Sequence, residues 1–391
     1  MKGRKLLMIP GPIEFEPDVL HAMSIPTTSH VSPDFINVFG TSLELMRDVW
    51  KAPKGQPFII AGTGTLAMDM AAANLIEQGD HVLIISSGYF GNRFKAIAER
   101  YGAKTTLLEA PLGELVALET IEKELKSKPY KALTITHVDT STGLLTDPKP
   151  IAQLATKYNT LSILDGVCSV AGEAIHQDEW GLDMVLTASQ KAIGVPPGLA
   201  LLMASKKAMQ VWKNRKTPVP NYYADFSNWL PIMYAYEARQ PSYFGTPAVN
   251  LIVALEVSLK IICTEGIDQR VHRHHNLAKA FRAGIVALNL EILPKTNTTT
   301  ANTLTAIYYP KGINGADLSK QMSANDIIIA GGLLPELKAN YFRIGHMGSI
   351  SSNDLLAVLG ALERALITLG HPLKAGQSLR AFQDTLLKSN L

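Results

Sequence analysis

The stretch Thr187-Ala188-Ser189-Gln190-Lys191-Ala192-Ile193-Gly194-Val195-Pro196-Pro197-Gly198 separates two short apolar runs, Met184 to Thr187 and Leu199 to Met203. Both runs have the length and composition of buried strands. Parallel neighbours need a crossover of about a dozen residues or more. Ala188 to Gly198 leaves no room for one, and Pro196-Pro197-Gly198 stops any helix that begins there. The two strands are therefore expected to run antiparallel.

Upstream lie five more runs of this kind: Phe58-Ile59-Ile60, His81 to Ile85, Thr105 to Leu108, Ala132 to Val138 and Leu161 to Leu164. Amphipathic stretches long enough for crossover helices separate them, which predicts parallel pairing with helices on the sheet faces. The expected architecture is α/β, with a mixed, mostly parallel seven-stranded sheet containing one antiparallel strand. Downstream, the helical period from about Val249 through Leu288 reads as one long bridging helix. Strand-like pieces at Leu304 to Tyr309, Ile327 to Ala330 and Tyr341 to Ile344 then predict a smaller α+β C-terminal domain. The expected divisions are an N-terminal segment over 1–20, a large domain over 21–255 and a small domain over 256–391.

Composition narrows the function classes. The 391 residues carry 37 Lys+Arg against 34 Asp+Glu, a net charge of +3, which excludes a nucleic-acid grip built on bulk charge. At 47% hydrophobic residues the chain can bury a large core. Its 18% charged residues fall below the usual ~25%, so part of the surface is expected to face a second subunit. Two cysteines, Cys168 and Cys263, give no disulfide framework and suggest a reducing compartment. No apolar run approaches the roughly 20 residues of a membrane span. Met1 to Met8 lacks the apolar core of a secretory signal. The terminal Ser389-Asn390-Leu391 loosely matches the peroxisomal Ser-Lys-Leu address without its basic middle residue, so a cytoplasmic or peroxisomal location is expected.

Three features carry chemistry. Ala61-Gly62-Thr63-Gly64-Thr65 follows the first core run and opens a helix, which offers backbone N–H groups and a favourable dipole to a phosphate. It has no Walker lysine, and Ala67 takes the third place of a G-x-G-x-x-G spacing, where it is only tolerated. A tight turn is the plainer reading of the loop alone. Asp165 closes the run Leu161 to Leu164 and Lys191 follows Met184 to Thr187, so both belong at the carboxyl edge of the sheet, where ligands bind. They could be a structural ion pair. They also match the two contacts pyridoxal phosphate requires, a Schiff-base lysine and a carboxylate facing the pyridinium nitrogen. With the phosphate loop beside them, the cofactor reading is the better one.

On these residues the chain resembles the class V, fold-type I pyridoxal-phosphate aminotransferases of the alanine-glyoxylate and serine-pyruvate group, especially the fungal alanine-glyoxylate enzymes. The likeness rests on Ile9-Pro10-Gly11-Pro12, Ser29-His30-Val31-Ser32-Pro33, the Gly62 loop, His137-Val138-Asp139-Thr140-Ser141-Thr142-Gly143, Asp165-Gly166-Val167-Cys168-Ser169 and the Lys191 stretch. It continues through Tyr243-Phe244-Gly245-Thr246-Pro247, Ala330-Gly331-Gly332 and Arg343-Ile344-Gly345-His346-Met347-Gly348, covering nearly the whole chain in order. The resemblance implies that Lys191 carries the cofactor and Asp165 holds its ring nitrogen protonated. Val167 and Phe90 would sandwich the ring, with Phe90 standing where the family often has Trp. Ser141 would approach the ring oxygen. Thr63, Gly64, Thr65 and Gln190 would hold the phosphate, with Thr65 where some relatives carry His. Tyr243 and Thr246 would reach the phosphate of a neighbouring subunit, making the enzyme a homodimer with shared sites. Arg343 would grip the substrate α-carboxylate beside a narrow approach at Gly11. The implied reaction is ping-pong transfer from L-alanine to glyoxylate.

Other features have plainer readings. His272, His274 and His275 are expected on a solvated helix face, since their spacing is wrong for a metal and no cysteine is near. Lys206 to Lys216 reads as a surface helix with snorkelling lysines. Asp139 and Glu173 are taken as structural, and Cys168 as a small core filler. A cysteine desulfurase would need a cysteine late in the chain, and none follows Cys263. A serine-preferring aminotransferase and a phosphate-ligand binding protein without turnover stay open.

Overall fold

The computed structural model describes residues 5–389. Its large sheet contains β1 (Gln56–Ala61), β2 (His81–Ser86), β3 (Lys104–Glu109), β4 (Ala132–Thr136), β5 (Leu161–Asp165), β6 (Met184–Ala188) and β7 (Leu199–Ala204). Their order in space is β1-β7-β6-β5-β4-β2-β3. β2, β3, β4, β5 and β6 pair in parallel, while β7 is antiparallel to both β6 and β1. The seven expected strands are all present, and the short Pro-Pro-Gly connection produces the antiparallel one. At Ala132 to Val138 the observed strand is shorter than the expected run. The ladder stops at Thr136, and Val138–Asp139 turns away to pair with Leu144–Leu145.

Every residue of β5, β6 and β7 is buried, so these strands are continuous apolar runs rather than alternating ones. Covering helices include α1 (Pro33–Trp50), α2 (Gly64–Leu75) and α3 (Tyr89–Arg100). α1 begins cleanly because Ser32 Oγ accepts from Phe35 N and Pro33 occupies a first-turn position.

The expected single bridging helix is two, α4 (Val249–Glu265) and α5 (Ile267–Ala287). Gly266 separates them at φ +83°, a left-handed value that a residue without Cβ adopts at low cost. Beyond them, β8 (Leu304–Tyr308), β9 (Ala330–Gly331) and β10 (Tyr341–Gly345) form an antiparallel sheet in the order β8-β10-β9. α6 (Ser352–Thr368) and α7 (Gln377–Lys388) pack with α5.

The core divides accordingly. One cluster surrounds the large sheet and includes Ile13 and Val19. The second gathers Met8, Phe281, Phe342, Leu359 and Phe382. The N-terminal stretch thus serves both cores, and Leu6–Leu7 pairs in parallel with Ile327–Ile328.

The histidine cluster needs one correction. His274 is fully buried, with Nδ1 bonded to the Arg270 carbonyl at 2.7 Å and Nε2 accepting from Gly348 N at 2.9 Å, so it links α5 to the loop after β10. His272 and His275 are both exposed, with His272 Nε2 2.9 Å from Asn276 Nδ2. Among the described residues no group of His, Cys, Asp and Glu could hold a metal. The basic stretch forms a helix over Lys206–Lys213 that buries Ala208 and Met209 and pairs Lys207 with Asp183 at 3.2 Å. Among the described residues no helix is long and apolar enough to cross a membrane. Asn390 and Leu391, the last two residues of the Ser389-Asn390-Leu391 terminus, lie outside the described residues, as do Met1 to Arg4 of the N-terminal stretch read for a signal.

Phe58 on β1 stacks on Phe226 with ring centroids 4.4 Å apart, and both are fully buried. Phe58→Ala is expected to destabilise the fold by about 3–5 kcal/mol, the usual range for such a cavity. A lowered thermal midpoint in calorimetry checks this.

Candidate active site

The last residues of β1, β4, β5 and β6 meet at one edge of the sheet. Ala61 lies opposite Leu199, Thr136 opposite Asp165, and Ala188 opposite Ala200. Three backbone bonds extend this edge into the loops: His137 N to Asp165 O (3.0 Å), Gly166 N to Leu186 O (2.8 Å) and Gly62 N to Gly198 O (2.8 Å). The loops holding the phosphate glycines, Ser141, Asp165 and Lys191 all leave from here.

The Lys191 loop is tied down on both sides. Ser189 Oγ donates to Pro196 O at 2.8 Å and accepts from Leu199 N at 3.1 Å. The buried Arg270 guanidinium donates from Nη2 to Ala192 O at 3.1 Å. Lys191 Nζ donates to the carbonyl of Pro10. Gly11 has φ +101°, and a Cβ there would stand 2.5 Å from both Lys191 Cδ and Nζ. Only glycine fits between the N-terminal strap and this lysine. Burial, reinforced by the positive charge of Arg343, pushes the Lys191 amine below its ordinary value, against Cys168 and Asp165.

Asp165 is 3% exposed. Its Oδ1 accepts from Val167 N at 2.9 Å, and among the described residues no hydrogen bond engages Oδ2. Burial pushes the carboxyl up to about 7, with the Val167 N–H and the charges of Arg93 and Lys191 pulling down and that of Asp139 pushing up. A buried carboxylate with a free oxygen suits a protonated ring nitrogen, which would return it to the charged form.

The phosphate loop also fits such a group. Thr63 sits at the N-cap of α2 but makes no side-chain cap bond, so its hydroxyl and the first-turn N–H groups of Gly64 and Thr65 have no protein acceptor among the described residues. A Cβ on Gly64 would stand 2.9 Å from Val167 Cγ2 and 3.3 Å from Ala188 Cβ, so glycine lets the helix start close against the Asp165 loop. Gln190 Oε1 is buried without a partner. The free hydroxyl and N–H donors at the start of α2 are what the phosphate of pyridoxal phosphate would satisfy, whereas the Gln190 carbonyl oxygen is an acceptor and would need a donor.

Asp139, read as structural, organises the opposite wall. Its carboxylate accepts from Phe90 N at 2.9 Å and Gly91 N at 3.4 Å at the start of α3, and from Ser141 N at 2.9 Å and Ser141 Oγ at 2.5 Å. Ser141 Oγ also accepts from Tyr89 N at 3.0 Å. The Ser141 hydroxyl thus helps position the start of α3 and keeps one lone pair, and Phe90 is held by its own backbone. Tyr341 Oη, fully buried, donates to Ser141 O at 2.7 Å and accepts from Leu333 N and Leu334 N, which ties the smaller sheet to this wall.

Arg343 on β10 donates from Nε to Gly331 O at 2.8 Å and from Nη1 to Thr140 O at 3.1 Å. Nη2 has no partner among the described residues, leaving the outer edge of the fork for a carboxylate. Cys168 is buried, 3.9 Å from Thr303 Oγ1, and burial pushes its thiol up, as suits a core filler. Glu173 binds Asn302 through its backbone and side-chain nitrogens.

Tyr243 and Thr246 are not brought into this cluster. Both are exposed, and Tyr243 touches His30 with ring centroids 5.3 Å apart. Conversely, sequence reasoning missed Arg93, whose Nη1 donates to Thr65 Oγ1 at 3.1 Å. Its position three residues after Phe90, one helical turn on, is the only signal that could have flagged it.

Comparison with known proteins agrees with this geometry. The family model described as aminotransferase class-V matches residues 20–335. An uncharacterized aminotransferase of Methanocaldococcus jannaschii is 38% identical over 98% of each chain. Alanine–glyoxylate aminotransferase 1 of Saccharomyces cerevisiae is 38% identical over 91% of this chain and 95% of its own. The crystal structure of ureidoglycine–glyoxylate aminotransferase from Bacillus subtilis superposes with a TM-score of 0.91 at 30% identity, covering 98% of both chains. The chain therefore belongs to the class V aminotransferases, fold-type I enzymes that use pyridoxal phosphate.

Proposed function

We propose that this protein transfers the amino group of L-alanine to glyoxylate, yielding pyruvate and glycine in two successive half-reactions of a ping-pong cycle. Support for a small substrate comes from the close approach of the strap to the lysine: a Cβ placed on Gly11 would stand 2.5 Å from Lys191 Nζ, which leaves little room beside the amine. Support for the donor and acceptor comes from the yeast relative, an alanine–glyoxylate enzyme.

Pyridoxal phosphate, when bound, supplies an electron sink for the substrate Cα and carries the amino group between the halves. The protein's share is proton transfer and orientation. Lys191 Nζ, whose amine burial and Arg343 push below its ordinary value, would take the proton from substrate Cα in the first half-reaction and deliver one to Cα of the acceptor in the second, moving it across the cofactor within each half. Asp165 holds a proton on the ring nitrogen. Arg343 binds the α-carboxylate of alanine and glyoxylate alike. Gly11 and the Pro10 carbonyl cover the amine and limit access of water. Tyr243 and Thr246, exposed in the single chain, are proposed to complete a partner's phosphate site in a homodimer.

In single half-reactions followed by absorbance, L-alanine is expected to convert the bound cofactor faster than L-serine or glycine; a faster L-serine conversion would make the enzyme a serine donor instead. Arg343→Ala lowers kcat/KM for alanine and for glyoxylate together by about 10²-fold, the scale of charge-assisted bonds. A further expectation concerns cofactor-free protein. The native Asp165 carboxyl, pushed up to about 7, holds its proton while the unfolded one has lost it, so folding stability falls as pH rises from about 4 to 7. Asp165→Asn removes that penalty. Urea melts of the cofactor-free variant are expected to exceed wild type at pH 8 by up to about 4 kcal/mol and to converge with it near pH 4.

A further inference from the structure

Arg93 lies one turn into α3 and is half-buried. Its guanidinium stands 4.7 Å from the centroid of the Phe90 ring and 5.1 Å from that of Tyr89. Nη1 donates to Thr65 Oγ1 at 3.1 Å. Among the described residues it forms no ion pair, unlike Arg270 and Arg273, both bonded to Glu265. A cation with no carboxylate in ion-pair contact among the described residues, though its charge reaches Asp165, is held between an aromatic face and the phosphate loop and is placed to meet an anion there.

The hydrogen bond to Thr65 has a directional consequence. A threonine hydroxyl carries a single hydrogen and two lone pairs. Arg93 can only donate, so it occupies a lone pair of Thr65 Oγ1 and leaves the hydroxyl hydrogen to point elsewhere. That hydrogen has no acceptor among the described residues, and it sits beside the unsatisfied N–H groups at the start of α2. We infer that Arg93 is a positioning residue for the cofactor phosphate: it fixes Thr65 as a donor, pins the Phe90 ring, and supplies the positive charge that the phosphate loop itself lacks. The Gly62–Thr65 loop contains no lysine or arginine, so this charge must come from outside it. The inference rests on the pyridoxal-phosphate reading of the site and is independent of which amino acid is the donor.

The test compares binding of pyridoxal phosphate with binding of pyridoxal, which lacks the phosphate, to the full-length chain, read from the absorbance of the lysine-bound chromophore. Arg93→Met is expected to weaken pyridoxal phosphate by about tenfold or more and pyridoxal by less than about twofold. Arg93→Lys keeps charge but loses the planar fork, and should recover part of the difference. Thr65→Val should reproduce part of the loss, and adding it to Arg93→Met should cost less than the sum of the two. Equal losses for both ligands, or unchanged preference for the phosphorylated one in Arg93→Met, would overturn the proposal while leaving the cofactor assignment intact. If Arg93→Met does not fold, Arg93→Lys and Thr65→Val decide by the same ratio. A wild type that binds neither ligand would instead refute the cofactor reading on which this one stands.

Discussion

Where β4, β5 and β6 run out together, a lysine and a carboxylate are trapped in a place that cannot solvate them. Asp165 ends β5 and Lys191 follows β6, and both strands are central, covered on each face by helices. Burial is the largest cause of both shifts, upward for the acid and downward for the amine. A charged pair exposed at a sheet margin would titrate near its ordinary values and do little chemistry. Here the topology shifts both groups, and the antiparallel β7, lying between β6 and β1, brings the phosphate loop after β1 to the same edge as the lysine.

The remaining polar groups are arranged around that pair in a graded way. Those with structural work are fully engaged: Asp139 with the start of α3, Ser189 with its own loop, and Arg270 with Ala192. Those facing the proposed ligand are half-engaged. Asp165 Oδ2, Arg343 Nη2 and the α2 N-terminus each keep bonding capacity free. Buried polar groups are costly when left unmet, so a cluster of partly satisfied groups at one edge points to a bound molecule rather than to poor packing.

Much of this was legible in the residues. The seven strands, the antiparallel one among them, followed from apolar runs and from a connection too short for a crossover. The Lys191 and Asp165 placement followed from their position after strands. What escaped had physical causes. The break at Gly266 was hidden because the apolar period continues across it, and only the left-handed backbone there separates α4 from α5. His274 was assigned to solvent because neighbouring His272, His275 and Arg273 are polar, whereas one helical face turns inward against Gly348. The spacing from Phe90 puts Arg93 on the same helix face, but its reach to Thr65 appears only when α3 is laid beside the phosphate loop. Tyr243 and Thr246 came from resemblance, and an exposed loop in one chain carries no mark of a partner's site.

The central claim is that Lys191 is the residue that bonds covalently to pyridoxal phosphate. Borohydride reduction of the purified, cofactor-loaded protein, followed by proteolysis and peptide mass mapping, tests it most directly. A reduced phosphopyridoxyl adduct is expected on the peptide containing Lys191, lost when L-alanine is added before reduction. An adduct on another lysine, or none on a protein that holds the cofactor, would contradict it.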